Sequence, residues 1–235
     1  MRVFVECFEE ISLKKTDSLS FNHPLARRMS FLQKAGLEVM SRIEKDYPML
    51  LDSYLYGPEC EIFYTTTYGE LQAVHTIANQ INAKELPVSP LAFQHSVNNA
   101  AAGYLSIIKK VKKNVVTLGS GYLALDKAIY SIFHRLKNEP ETTAILVHGD
   151  EYLFQNEDQA QAQVQFFAFS NFAKTKWQRP LELLDIVYRT DEIAEQDFDK
   201  DHPLFARFDN LKQQTFERTV RSQAGELIHS HWSVP

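Results

Sequence analysis

Apolar residues recur along this chain with two periods, and the switches between them mark its elements. Val3, Val5 and Cys7 sit two apart, which predicts a first strand carrying all three on one face. A polar connection from Asp17 to His23 follows. Leu32, Ala35, Gly36, Val39, Met40 and Ile43 then recur at helical spacing, predicting an amphipathic helix from Leu25 to Asp46 that Pro48 closes. Gly57-Pro58 marks a turn, and Glu61 to Thr66 reads as a second strand. Leu71, Val74, His75, Ala78 and Ile81 line one side of a second helix, after which Pro87 and Pro90 bracket a short extended piece.

The alternation continues. Val97 to Ile108 is rich in small residues and reads as a buried helix, because Ala100, Ala101, Ala102 and Gly103 permit close backbone approach. Asn114 to Leu118 is a β-branched strand, Tyr122 to Leu136 a strongly periodic helix, and Thr143 to His148 a continuous apolar run suited to a central strand. Gln163 to Phe169 and Leu181 to Val187 predict two more strands, expected to pair with each other. Repeated strand-helix-strand order is the mark of a layered α/β domain. Beyond about Asp191 the chain turns acidic and turn-rich, and Phe205, Phe208, Leu211, Phe216 and Val220 predict one stripe of a terminal helix that covers the sheet or a partner. The expected division is therefore a domain over 1–190 and a helical extension over 191–235.

Composition narrows the function classes. With 235 residues, 44% of them hydrophobic, the chain has apolar surface for a full core. A net charge of −5 supplies no basic field for a phosphate-tracking surface, so nucleic acid is not an expected partner. Cys7 and Cys60 form no CxxC pair and lie near no histidine cluster, so neither a metal site nor a disulfide framework is expected. The first apolar run is interrupted by Glu6, Glu9 and Glu10, and no stretch reaches membrane-spanning length; the expected location is the cytoplasm.

The densest candidate chemistry lies at Leu118-Gly119-Ser120-Gly121-Tyr122. A strand ending in glycines before a long helix makes a tight turn whose free amides suit a nucleophile or an anion. Ser120 is one candidate nucleophile, of a serine-dependent acyltransferase or thioesterase with His148 and Asp150 as conceivable partners; the plainer alternatives are a serine that caps the following helix and a turn at His148-Gly149-Asp150 after the core strand. A hydrolase elbow has glycines two positions either side of its serine, where this chain has Leu118 and Tyr122. No lysine follows the glycines, which disfavours a phosphate-binding loop.

Ser89-Pro90, Asn99, Ala102-Gly103 and Leu105-Ser106-Ile107 together resemble the β-ketoacyl synthases of the thiolase superfamily. The run Ser96 to Tyr104 is closer still to a subgroup, the short β-ketoacyl-synthase-like N-terminal proteins encoded with aryl polyene biosynthesis genes. Arg27-Arg28-Met29-Ser30 and Ala144 to Glu151 fit that subgroup as well. The resemblance spans roughly Met1 to Arg189 and is most specific between Ser89 and Asp150.

The resemblance implies the N-terminal half of a thiolase-like α/β fold, a mixed central sheet with helices on both faces. It also exposes two departures. Where active members carry the nucleophilic cysteine, this chain has Leu118 or Gly119, and neither can form a thioester. The two histidines that active enzymes draw from a second half have no counterpart motif around His95, His134, His229 or His231.

What remains is the role implied for a family copy without a nucleophile: a chain-length-factor-like subunit that pairs with a full-length β-ketoacyl-ACP synthase, needs no cofactor, and shapes its partner's acyl tunnel. The implied contact residues are Asn98, Asn99, Ala102, Gly103, Tyr104, Val116 and Leu118, with Leu91, Ala92, Phe93 and Ser96 reaching toward the tunnel. Phe93 packing into its own core is the alternative. Lys109, Lys110, Lys112 and Lys113 could attract an acidic acyl carrier protein or could be a solvated turn. A half-fold with an exposed small-residue helix and a free sheet edge is expected to need its partner.

Overall fold

A computed structural model of the chain describes residues 3–48, 59–119, 121–152, 161–171, 181–190, 215–221 and 226–233. Its strands are β1 (Val3–Lys14), β2 (Cys60–Thr66), β3 (Val115–Gly119), β4 (Thr143–Tyr152), β5 (Gln161–Ser170), β6 (Leu181–Thr190), β7 (Thr215–Arg221) and β8 (Glu226–Ser233). They form one 8-stranded mixed sheet in the order β3-β2-β4-β5-β1-β6-β8-β7. The strands β3, β2 and β4 are parallel, and the pairings from β4 onward are antiparallel. The helices are α1 (Phe31–Asp46), α2 (Leu71–Asn82), α3 (Pro90–Ser96), α4 (Ala100–Lys109) and α5 (Ala124–Asn138).

Strand alternation divides the interior into two cores. Ile145 and Val147 of β4 and Val164 and Phe166 of β5 join Leu32, Val39 and Met40 of α1 and Ala101 and Leu105 of α4 on one face. Ala144, Leu146, Phe167 and Phe169 join Ile129, Ile132 and Phe133 of α5 on the other. Helices therefore cover both faces, as expected. The small-residue helix is not exposed: Ala101 and Ala102 are buried, and their small side chains let α4 lie close to its neighbours.

Several expectations are corrected. Val3 and Val5 belong to the α5 core but Cys7 to the α1 core, because β1 bulges between Val5 and Cys7 and the extra residue, Glu6, inverts the alternation. The helix expected from Leu25 begins only at Phe31. A 3-10 turn spans Pro24–Arg28, and Ser30 then caps α1 reciprocally with Gln33, each side chain bonding the other's amide at 3.1 Å. Pro90 opens α3 rather than closing an extended piece, and Val97 is extended, so the next helix starts at Ala100. His148-Gly149-Asp150 does not turn; it continues β4. The strands β5 and β6 do not pair, since β1 lies between them.

The terminal helix is also corrected where it is described. Thr215–Arg221 is a strand, paired along its length with β8. Four-residue spacing of Phe216 and Val220 satisfies a period of two as well as a helix, and β-branched Thr215, Thr219 and Val220 favour the strand. Ile228, Ser230 and Trp232 of β8 are buried at alternate positions. The rest of the expected stripe, Phe205, Phe208 and Leu211, lies outside the described residues. No described helix is long and apolar enough to cross a membrane.

Candidate functional site

The parallel strands end together: Thr65 pairs with Leu118 and His148, and Thr66 with Gly119. Loops leaving the carboxyl ends of such strands are where α/β folds place their sites. The loop from β2 to α2 is held from below by Asp150, whose Oδ1 accepts from the Thr67 amide at 2.7 Å, the Thr66 hydroxyl at 2.8 Å and the Tyr68 amide at 3.1 Å. Burial would raise the Asp150 carboxyl, but His148 and these donors outweigh it and hold the group below its usual range. Charge-assisted bonds of about 1.5–3 kcal/mol each against a desolvation cost of several explain why ionisation wins. The same loop closes on itself through the Gly69 amide, which donates to Thr66 Oγ1 at 2.7 Å.

The same arrangement orients His148. Its Nδ1 lies 2.9 Å from Thr65 Oγ1 and its Nε2 3.4 Å from Asp150 Oδ2, so each ring nitrogen faces a partner. Ser120 itself lies outside the described residues.

At the turn after β3 a side chain at 119 would meet Asn98. A Cβ on Gly119 would lie 3.0 Å from Asn98 Nδ2, and one on Gly69, whose φ is +75°, 3.5 Å from Asn98 Oδ1. The Asn98 carboxamide thus lies between two glycines from two loops. Leu118 is half-buried and packs against the α5 core. Neither other thiol can substitute: burial pushes Cys7 and Cys60 up to about 12, leaving almost no thiolate near neutrality. Above the turn, Tyr68 donates to the Tyr122 hydroxyl at 2.7 Å, and the two rings meet edge to face. That hydrogen bond raises the Tyr68 phenol to about 12, because ionisation would break it.

The residues expected to meet a partner divide. Leu91 and Phe93 are exposed, Phe93 at 62%, so Phe93 does not pack into its own core; Ala92 is buried. Ser96 donates back to the Phe93 carbonyl at 2.9 Å, and His95 contacts the Arg28 carbonyl at 2.7 Å. Asn98 and Asn99 are exposed, and Gly103, Val116 and Leu118 half-buried. Ala102 and Tyr104 turn inward, the Tyr104 hydroxyl donating to the Arg28 carbonyl at 3.1 Å. Their place is the core, not a contact surface.

The lysines divide too. Lys109 is buried and ion-paired with Glu44, and Lys113 reaches Glu59 at 2.8 Å, Thr142 at 2.9 Å and Glu139 at 3.3 Å. Lys110 ends α4 in the left-handed region, and only it and Lys112 are exposed. His134 lies beside Tyr130 on α5, and His229 and His231 lie in β8 opposite β7. Among the described residues no group of three or more His, Cys, Asp and Glu is placed to hold a metal ion.

Two features went unseen in the sequence. One is the Asn98 wedge, for which Gly69 and Gly119 give a signal only once their loops are known to meet. The other is a buried acidic pair, Glu70 and Glu151, beside Tyr64. Glu151 follows Asp150 in what reads as a turn, which hides its burial.

Comparison with known proteins bears on this geometry. The family described as "Beta-ketoacyl synthase, N-terminal domain" matches residues 12–171. No curated protein matches the chain. Among solved structures, a ketosynthase (ApeO) in complex with its chain length factor (ApeC) from Xenorhabdus doucetiae aligns at 15% identity with a TM-score of 0.59, covering 91% of this chain and 82% of that one. The complex AntDE:AntF, a type II PKS acyl-carrier protein with its ketosynthase bound to the hexaketide, aligns at 11% identity with a TM-score of 0.74, covering 100% and 99%. The ishigamide ketosynthase/chain length factor aligns at 15% identity with a TM-score of 0.53; this chain covers 54% of it, about half its length. At these identities the likeness concerns the fold, which is the mixed α/β fold of the N-terminal half of a thiolase-like ketosynthase.

Proposed function

Because the chain belongs to the family of β-ketoacyl synthase N-terminal domains, we propose that it is a non-catalytic, chain-length-factor-like subunit of an aryl-polyene-type synthase. It pairs with a full-length β-ketoacyl-ACP synthase and shapes that partner's acyl tunnel. The observation that carries this is the character of the β3 side of the sheet. Among the described residues β3 pairs only with β2, which leaves its outer edge open. Most of the exposed large apolar side chains cluster in sequence nearby, including Val74 and Ile81 of α2, Leu91 and Phe93 of α3, Val97 and Ile107. With α4 packed on β3, α3 on α4 and α2 on α3, the open edge and these exposed apolar side chains form surface that association would cover.

The chemistry supports a supporting role. Glycine at 119, the Asn98 wedge, two thiols near 12 and a fully engaged His148 leave the described residues without an activated nucleophile. Of the residues expected at the tunnel, Phe93 is the most exposed, and its bulk inside a partner's tunnel would limit added methylenes. Ala92, being buried, would disturb its own packing if enlarged. Of the lysines between α4 and β3, Lys110 and Lys112 are exposed and available to an acidic carrier protein.

Co-expression with a full-length ketosynthase of the aryl polyene class tests this. The expected result is a stable co-purified complex that Phe93→Glu reduces at least tenfold in affinity while leaving the fold intact. A chain that stays monomeric beside the synthase, or one that binds acyl carrier protein equally well without it, would overturn the proposal.

A further inference from the structure

Two carboxylates are buried together where α1 and α2 begin. Glu70 immediately precedes α2 and is 5% exposed; Glu151 on β4 is 0% exposed. Glu151 Oε2 accepts from the Gln72 amide at 3.1 Å, in the first turn of α2, and the Leu32 amide in the first turn of α1 also bonds this carboxylate. Glu70 Oε1 accepts from Gln33 Nε2 at 2.9 Å, and the Ser30 hydroxyl bonds the same group. The starts of both helices are thus tied to β4 through one acidic pair.

The remaining atoms have no such closure. Glu70 Oε2, Glu151 Oε1 and the Tyr64 hydroxyl are buried and find no hydrogen-bond partner among the described residues. Gly149 keeps the place open on the sheet side, since a Cβ there would come within 3.3 Å of the Tyr64 hydroxyl and 3.2 Å of Leu32 Cδ1. Leaving two negative charges and a phenol unpaired in a dry core would cost several kcal/mol. The facing groups offer little relief: Tyr64 from β2 and Asp150 from β4 add no positive charge, α1 and α2 contribute only uncharged donors, and Lys15 beyond β1 is an exposed cation acting on Glu151 from a distance.

We propose that Glu70 and Glu151 hold one shared proton, and that this proton locks the start of α2 and makes partner docking pH-dependent. The docking half rests on the proposed function above, because the loop it locks carries Tyr68 and leads into Val74, both exposed, and α2 packs against α3. Like charges that cannot both ionise are the usual origin of a shared proton, and the pair titrates as a unit. Burial first, with the neighbouring Glu151 assisting, raises Glu70 to about 7, and burial raises Glu151 as well. The sign follows. The folded chain retains a proton that the unfolded chain releases near the ordinary value of 4.5, so the stabilisation is full below that pH and is lost as pH rises through about 7.

The test uses the full chain and three readouts. Infrared difference spectra should show a protonated-carboxyl band at pH 6 that fades by pH 8.5 and is missing in Glu70→Gln. The melting temperature should fall by about 4 °C over the same interval, and Glu70→Gln should flatten that slope, as should Glu151→Gln if the first variant folds poorly. Affinity for the ketosynthase should fall about threefold from pH 6 to 8.5 in the wild type and not in Glu70→Gln. Absence of the band at pH 6, or recovery of the pH 8.5 melting temperature on adding potassium or sodium at fixed ionic strength, would overturn the shared proton. A normal band and slope with no binding at any pH would instead sink the docking reading and leave the proton in place.

Discussion

Two neighbouring loops at the carboxyl ends of the parallel strands are built in opposite ways. The loop from β2 to α2 is densely anchored: Asp150 accepts three hydrogen bonds from it, Gly69 closes on Thr66, and Glu70 and Glu151 fasten its far end. The turn from β3 to α5, where a condensing enzyme would carry its thiol, has glycine at 119 and 121 and the Asn98 carboxamide pressed against the first. One loop is held by side-chain acceptors and the other by close approach to a glycine. The difference teaches that one loop is fixed by buried acceptors while the other is shaped by close backbone approach, an asymmetry that fits the subunit role proposed above.

The largest expected break in that comparison is Asp150→Ala. It strips the acceptor from two amides and a hydroxyl at once, and a loss of about 3 kcal/mol, or roughly 9 °C in melting temperature, should appear in thermal unfolding. A change below about 1 °C would mean that the loop is not held by Asp150.

A smaller effect is expected at the other loop. Gly119→Cys restores a thiol at a cost near 1 kcal/mol, because Asn98 is exposed and can give way. The restored thiol should take no acyl group from an acyl carrier protein, and it should react with iodoacetamide more slowly than in the Asn98→Ala double variant. Formation of an acyl thioester on the single variant would show that the turn retains its chemistry.

The smallest effect sharpens the rim between the loops. Tyr122→Phe should leave stability within about 0.5 kcal/mol, yet return the Tyr68 phenol from about 12 toward its ordinary value. Spectrophotometric titration checks this; an unmoved titration would mean that the Tyr68–Tyr122 bond is absent in solution.

The sequence is legible where a single local period decides the outcome. Leu71 to Ile81 gives α2 almost to the residue, and the apolar run from Thr143 locates the start of β4. It is less so where a distant partner decides. The polar His148 to Glu151 looks like a turn because its partners, Thr65, Thr66 and the α2 amides, are invisible without the fold. A bulge at Glu6 inverts the facing of β1 with no local mark, and β7 becomes a strand through its pairing with β8. Of the candidate site, Leu91, Phe93, Asn98 and Asn99 are exposed, whereas Ala102 and Tyr104 are claimed by the core. Glycines and small residues signal close approach in either setting, and a linear pattern does not say which.

The central claim is that the β3 side of the sheet, not the α5 face, is what meets a synthase. Amide hydrogen exchange on the chain alone and in complex with a full-length ketosynthase tests this most directly. Slowed exchange should concentrate in residues 89–119, on α3, the Val97–Asn99 link and β3, with α5 and β8 unchanged. Protection centred on α5 or β8, or no protection in a complex that forms, would contradict the account.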